Sequence, residues 1–186
     1  MLQVISIILL IVIMMSIVEW GRRRFSRKAF VIFILAMFSL YALGQLYCTL
    51  FSRVPGSGFA VELNPFMSII RLFTKPIEAS GEVTGLLAWF MRGAPPGTGI
   101  ILNILLFVPL GYLVEVLMPN WKSKYVILLG CVCSIAIELM QYFFKMGFFE
   151  TDDILYNTLG TAIGVWVWHL QSRRLNKLKS NELPKE

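Results

Sequence analysis

Five carboxylate and amide side chains lie within or at the ends of long apolar segments, where polar groups are uncommon: Asn103, Glu138, Gln141, Asp153 and Asn157. Polar side chains in hydrocarbon are costly, so those that are present usually face a bundle interior or a water-filled cavity. Helical spacing places the middle two on one face with Ser134, and the last two on one face of the following helix. Such groups can exchange hydrogen bonds with the hydroxyls, amines or amides of a ligand.

Each of these residues also has a purely structural interpretation. Asp152 or Asp153 can cap a helix N-terminus, where the helix dipole favours negative charge. The three amides can hydrogen-bond to neighbouring helices. Glu138 is the hardest to explain in this way, because a carboxylate inside a membrane needs a proton or a partner.

The segments that carry these residues have the composition of membrane helices. The chain has 186 residues, of which 57% are hydrophobic and 15% are charged, and its mean hydropathy is +0.72. This is too apolar for one soluble domain of that length, and it argues against a disordered chain or a disulfide scaffold. About 20 apolar residues cross a bilayer, and five segments meet or approach that length: residues 2–18, 29–51, 100–118, 125–144 and 154–170. The predicted fold class is an all-α, polytopic transmembrane helical bundle with about five spans.

Basic residues are unequally distributed between the two sides of these spans. Of the 17 Lys and Arg residues, 12 fall in the connections after the first and third spans and in the C-terminal tail. The positive-inside rule makes that side cytoplasmic, so the N-terminus is predicted outside and the C-terminus inside. Topology and contact with anionic lipids then explain the net charge of +6, and no nucleic-acid partner is expected.

Orienting the spans brings the five polar residues to one depth. The third and fifth spans begin at the outer side and the fourth ends there, and each carries one or two of these residues at that end. A reversed topology would move the group intact to the other side. Glu115, the other internal acid, lies near the cytoplasmic end and is expected to extend its carboxylate to the surface.

The outer loop, residues 52–99, is predicted to contain amphipathic helices. Asn64 followed by Pro65 is typical of a helix N-terminus. One apolar stripe follows at helical spacing, formed by Phe66, Ile69, Ile70 and Phe73. A second helix is predicted over residues 80–92. Both helices either lie on the outer leaflet or form a lid over the bundle.

No cofactor and no metal site are predicted. The three cysteines, Cys48, Cys131 and Cys133, lie within spans and are expected to remain thiols. The single histidine, His169, is interpreted as a polar end-group near the cytoplasmic surface. The sequence contains no zinc, haem, P-loop or dinucleotide-binding pattern.

Three segments, taken in order, resemble the VanZ-like family: Asn103-Ile-Leu-Leu-Phe-Val-Pro-Leu-Gly111, Ile137-Glu-Leu-Met-Gln141, and Asp153-Ile-Leu-Tyr-Asn-Thr-Leu-Gly160 with Gly164. Leu63-Asn64-Pro65-Phe66 is also similar to that family's Asn-Leu-x-Pro-Phe. The resemblance implies a four-helix core with an added N-terminal helix. The motif residues with a structural role are then Pro65, Phe66, Phe107, Pro109, Gly111, Gly160 and Gly164.

The resemblance covers roughly residues 61–167, and together with the predicted spans it predicts three regions of the chain. Residues 1–28 form the N-terminal transmembrane helix and a basic cytoplasmic turn, and residues 29–171 form the VanZ-like transmembrane domain. Residues 172–186 form a basic cytoplasmic tail.

The resemblance implies a function in the envelope of a bacterial cell. We expect a plasma-membrane protein that contributes to resistance to glycopeptide antibiotics such as teicoplanin. Its five outward-facing polar residues would bind an amphiphile, either a lipid-linked envelope component or a lipoglycopeptide, and membrane lipids are the other expected partners. Two alternatives stay open: an intramembrane enzyme that modifies an envelope lipid with Glu138 and Asp153 as acid and base, and a small transporter or subunit of a membrane complex. No catalytic residue is otherwise assigned, because no activated nucleophile is evident.

Overall fold

The helices follow the apolar segments of the sequence. The structure, a computed structural model, describes residues 2–51, 58–74 and 98–182. These residues form α1 (Leu2–Arg24), α2 (Arg27–Leu46) with a π-helical extension (Tyr47–Phe51), β1 (Gly58–Glu62), α3 (Met67–Thr74), α4 (Thr98–Leu117), α5 (Ser123–Phe143), β2 (Met146–Glu150) and α6 (Thr151–Glu182). The predicted all-α bundle is confirmed, with one short strand pair added to it. The loop helix predicted over residues 80–92 lies outside the described residues.

Four helices in the described part of the chain are long and apolar enough to cross a membrane: Val4–Arg24, Arg27–Phe51, Thr98–Leu117 and Ser123–Phe143. The fifth predicted span lies within α6, which is less apolar and falls below this criterion, so hydropathy alone identifies four of the five predicted spans. Polar residues such as Asp153 and Asn157 lower the hydropathy of α6. The helix also continues to Glu182, so the predicted cytoplasmic tail begins as helix rather than as a separate segment.

Small residues let α4 and α6 approach closely, and this is the most extensive contact between described elements. A Cβ atom on Gly160 would overlap the carbonyl oxygen of Ile104, and one on Gly164 would overlap that of Val108. Gly164 follows Gly160 by one turn of α6, and Val108 follows Ile104 by one turn of α4. The two helices therefore run parallel. The Gly160-x-x-x-Gly164 pattern therefore serves close packing within this chain.

Pro109 interrupts the backbone hydrogen bonding of α4 inside the bundle, where residues 107–115 are all buried. A proline has no N–H to donate, and its ring disturbs the preceding turn. The Tyr41 hydroxyl of α2 donates a 2.7 Å hydrogen bond to the carbonyl oxygen of Leu106 in that turn. Gly111 then admits the backbone of Thr161. The predicted motif of α4 is thus a packing motif.

β1 and β2 form a parallel pair in which Gly58 lies opposite Met146 and Glu62 lies opposite Glu150. Neither strand is predicted by the sequence: β1 lies in the loop of residues 52–99, ahead of both predicted loop helices, and β2 lies in the connection between the fourth and fifth predicted spans. Each strand is five residues long, and its partner lies far away in the chain. The pair joins the long loop to the connection between α5 and α6.

α3 corresponds to the first predicted loop helix but begins slightly later. The prediction placed Pro65 in its first turn, whereas the helix begins at Met67. The reason is a turn in which Asn64 Oδ1 accepts a 3.1 Å hydrogen bond from the N–H of Phe66. Asn64 therefore organises the approach to the helix, and Pro65 and Phe66 lie within that turn.

The two ends of the bundle have different chemistry. Arg22 of α1 lies 5.4 Å from the ring centroid of Trp168, and Ser123 Oγ at the start of α5 lies 2.9 Å from His169 Nε2. The α1–α2 turn, the α4–α5 turn and the second half of α6 therefore share one end, which we call the basic end. The opposite end holds the end of α5, β2 and the start of α6, and we call it the polar end.

Glu115 does not extend to the surface as the sequence analysis expected. Only 2% of this residue is exposed. Its Oε1 atom lies 3.8 Å from Nε2 of His169, so the two residues face each other at the basic end. The single histidine is itself exposed at the basic end, so its interpretation as a polar end-group stands, with a buried acid beside it.

Candidate ligand-binding site

Glu138 lies in the last two turns of α5 and is buried, with 2% of its surface exposed. Its Oε2 atom accepts a 3.0 Å hydrogen bond from the backbone N–H of Glu150 at the end of β2. This bond holds the β2 segment against α5 and gives the intramembrane carboxylate the partner that the sequence analysis required. The assignment of Glu138 as an acid or base stays a prediction.

Gln141, one turn later on the same face of α5, binds the π-helical extension of α2. Its Nε2 atom donates a 2.8 Å hydrogen bond to the carbonyl oxygen of Thr49. A π-helical turn displaces backbone carbonyls from the regular pattern, and a side-chain donor restores a partner. Gln141 therefore fixes the end of α2 against α5.

Gln45 joins this arrangement and was missed by the sequence analysis. Its backbone carbonyl accepts a 2.8 Å bond from the Thr49 hydroxyl, which places it next to the Gln141 contact. The side chain is buried, and neither amide atom has a hydrogen-bond partner among the described residues. The rule that a polar residue inside an apolar span needs an explanation would have identified Gln45.

Asn157 lies on α6 and contacts α5 below Glu138. Its Nδ2 atom donates a 2.8 Å hydrogen bond to the hydroxyl of Ser134. Its Oδ1 atom is buried and has no hydrogen-bond partner in the described part of the chain. Asn157 therefore forms the interhelical hydrogen bond that was considered for it, while its amide oxygen has no partner among the described residues.

Asp152 is the acid that the sequence analysis treated only as a helix cap. It is fully buried, with 0% of its surface exposed. Its Oδ2 atom accepts a 2.7 Å hydrogen bond from the N–H of Ser68 in the first turn of α3. Asp152 thus satisfies a free N–H of a different helix from its own, while its Oδ1 atom has no partner among the described residues.

Two further acids lie beside Asp152. One carboxylate oxygen from each of Glu150, Asp152 and Asp153 lies within 4.8 Å of the others, a separation that a metal ion could bridge. The absence of a metal site stays a prediction. Oxygen atoms of like charge at this separation concentrate negative charge at the start of α6, where the helix dipole favours it.

Asn103 and Asp153, the remaining predicted site residues, are both half-buried. Asn103 has no hydrogen-bond partner in the described ranges, and its neighbour Ile104 packs against Gly160 of α6. The structure therefore links Glu138, Gln141 and Asn157 into the polar end through direct contacts. Asp153 lies at the same end, because its carboxylate belongs to the cluster with Glu150 and Asp152. Asn103 lies near the start of α4, which runs parallel to α6.

The three cysteines are free: Cys131 and Cys133 lie in α5, and Cys48 lies in the π-helical extension of α2, next to the Thr49 carbonyl that Gln141 binds. Each is half-buried. They contribute no disulfide to the arrangement of the bundle.

These features define a helical membrane protein that holds carboxylates and amides beneath one end of its bundle. The VanZ/LLP1 family model matches residues 28–172. The chain belongs to this family, which confirms the resemblance seen in the sequence.

A curated relative supports the same assignment. Protein VanZ of Enterococcus faecium is 29% identical over 82 residues, which cover 41% of this chain and 48% of that protein. The chain thus spans about half the length of this curated relative. No solved structure matches the chain.

Proposed function

We propose that this protein is a multi-pass protein of the bacterial plasma membrane that binds an amphiphilic envelope ligand at the polar end and contributes to tolerance of teicoplanin-type glycopeptides. Membership of the VanZ/LLP1 family and the similarity to Protein VanZ support this proposal. The polar end faces outward in this proposal. Its ligand residues are Asn103, Glu138, Gln141, Asp153 and Asn157, to which we add Gln45 and Asp152.

The observation that carries the proposal is a set of buried polar atoms without hydrogen-bond partners. Gln45, Asp152 and Asn157 are 8%, 0% and 5% exposed, and each has at least one unsatisfied oxygen in the described part of the chain. A buried unsatisfied polar group costs about 1–3 kcal/mol. Native proteins keep few such groups, so three at one end of a bundle need an explanation. Hydroxyl, amine or amide donors of a ligand would supply it.

An amphiphile fits this end because apolar surface surrounds the buried polar atoms. Phe143 and Phe144, at the end of α5, are 74% and 61% exposed. Leu63 and Phe66, before α3, are also exposed. These side chains offer contacts for an acyl chain, while the carboxylate and amides bind the polar part.

A comparison of two glycopeptides tests the proposal. The protein is expressed in a sensitive bacterial host, and the minimum inhibitory concentrations of teicoplanin and of vancomycin, which has no acyl tail, are measured. We expect the wild-type protein to raise the value for teicoplanin and to leave that for vancomycin almost unchanged. Glu138→Gln combined with Asp153→Asn is expected to remove the gain. If this double variant kept full tolerance at an equal protein level, the site assignment would be wrong.

Gln45→Leu separates ligand binding from folding. Replacing an unsatisfied buried amide with an apolar side chain of similar size is expected to leave stability equal or higher. Loss of one ligand hydrogen bond, at about 1 kcal/mol, weakens affinity roughly fivefold, so tolerance should fall. Thr158→Ala on α6 serves as the control, since its hydroxyl donates a 2.7 Å hydrogen bond to the Ile154 carbonyl one turn earlier in the same helix. Unchanged tolerance in Gln45→Leu would remove Gln45 from the site.

A further inference from the structure

A groove lies between α1 and α6 at the basic end, away from the proposed ligand site. Its volume is about 580 Å³, within the range of small-molecule sites. The apolar part of its lining comes from one face of each helix and comprises Val12, Met15, Val167 and Leu170. Val12 is 51% exposed, so this part of the groove opens toward the surrounding bilayer.

The other part of the groove is positively charged. Arg23, Arg174 and Glu19 line it, and Glu19 also pairs with Arg22 at 2.9 Å. Two arginines against one glutamate give the lining a net charge of +1, and Arg22, which pairs with Glu19 but does not line the groove, adds one more positive charge nearby. The surplus cations therefore lie where α1 and α6 reach the membrane surface.

The two arginines that line the groove retain free donors. The Nε atom of Arg23 pairs with Glu19 Oε1 at 2.9 Å, while the side chain is 66% exposed. Arg174 is exposed and has no ion-pair partner among the described residues. Guanidinium groups bind phosphate through paired N–H donors, which suits both side chains.

Trp20 and Gln171 line the boundary between the charged and the apolar parts. Trp20 is 54% exposed, and tryptophan favours the headgroup level of a bilayer. Gln171 accepts a 2.6 Å hydrogen bond from the Tyr112 hydroxyl and donates a 3.5 Å bond to Glu19 Oε2, so it joins the α6 wall of the groove to α1 at this depth. The groove thus presents a basic region, an interfacial region and an apolar region in the order of a phospholipid.

We infer that this groove binds an anionic phospholipid, with the phosphate at Arg23 and Arg174 and an acyl chain along Val12, Met15 and Val167. Basic pockets between membrane helices are suited to anionic headgroups. A zwitterionic lipid lacks the net negative charge that complements the basic surplus. This site is separate from the polar end, and the inference does not depend on the proposed function.

Native mass spectrometry of the purified full chain tests the inference. The protein is titrated in detergent with phosphatidylglycerol or phosphatidylcholine, and the retained lipids are counted. We expect wild type to retain phosphatidylglycerol preferentially. In Arg23→Gln/Arg174→Gln, the affinity for phosphatidylglycerol should fall about tenfold, while that for phosphatidylcholine stays constant.

Arg24→Gln/Arg27→Gln is the matched control, because it removes the same charge at the same end and neither residue lines the groove. It should keep the wild-type preference. Equal loss in both double variants would overturn the inference, since diffuse attraction alone would then explain binding. Absence of a preference in wild type would overturn it as well. As a second readout, phosphatidylglycerol with a photoreactive acyl chain should label α1 and α6 within the groove, and labelling confined to other helices would contradict it.

Discussion

Asp152 is held by an N–H group that lies 84 positions earlier in the chain. Its carboxylate joins the start of α6 to the first turn of α3, and so fixes part of the loop of residues 52–99 to the bundle. The same side chain leaves Oδ1 buried without a partner among the described residues. One residue therefore anchors a helix and keeps a second acceptor for the proposed ligand.

The anchoring role predicts a graded effect of substitution. Asp152→Ala removes the acceptor of the Ser68 N–H and should destabilise the protein by about 1–3 kcal/mol. Asp152→Asn retains an acceptor oxygen and should cost less. Thermal unfolding in detergent, followed by circular dichroism, measures both, with Thr158→Ala as the control. Equal losses for the two Asp152 variants would contradict this account.

Among the helices, the close contact between α4 and α6 depends on glycine at positions 160 and 164 of α6. The carbonyl oxygens of Ile104 and Val108 occupy the space that Cβ atoms on Gly160 and Gly164 would require. The resulting close contact sets the parallel arrangement of the two helices. It also brings Asn157 on α6 within reach of Ser134 on α5.

Gly164→Leu is therefore expected to be strongly destabilising. Overpacking of a core costs about 1–3 kcal/mol, and here the obstacle is backbone that cannot move aside. Gly44→Leu is the matched control, because Gly44 lies in α2 with nothing within 4 Å of an added Cβ. Unfolding temperature and the yield of monodisperse protein are measured for both variants. Similar behaviour of the two would exclude this packing as a main determinant of stability.

At the scale of the whole molecule, the two ends carry different charge, and this predicts the orientation. The α1–α2 and α4–α5 turns share the basic end with the second half of α6. Basic segments remain cytoplasmic during insertion. The polar end is then expected at the outer surface.

Cysteine labelling on intact cells measures the orientation. Single cysteines are introduced at Ser26, Asn120 and Phe144, all exposed positions, in a variant whose three native cysteines are replaced by alanine. A membrane-impermeant maleimide should label the cysteine at Phe144 in intact cells. The other two should react only after permeabilisation. The reverse pattern would place the polar end in the cytoplasm and would rule out the proposed outward-facing site.

The helices, the family and most of the polar residues at the polar end follow from local sequence patterns. Runs of about 20 apolar residues form helices wherever they lie, and polar residues within them are conspicuous because hydrocarbon penalises them. Glu138, Gln141 and Asn157 were identified on that ground alone. The grouping of basic residues in two connections and the C-terminal tail is likewise visible in the sequence alone.

The partners of these residues depend on how the helices and strands pack in three dimensions. The pairing of β1 with β2, the bond from Ser68 to Asp152 and the burial of Glu115 beside His169 join positions that are distant in the chain. No local pattern encodes such contacts, because they arise when several helices pack at once. For the same reason, the unsatisfied amide of Gln45 and the groove between α1 and α6 become visible only in the assembled bundle.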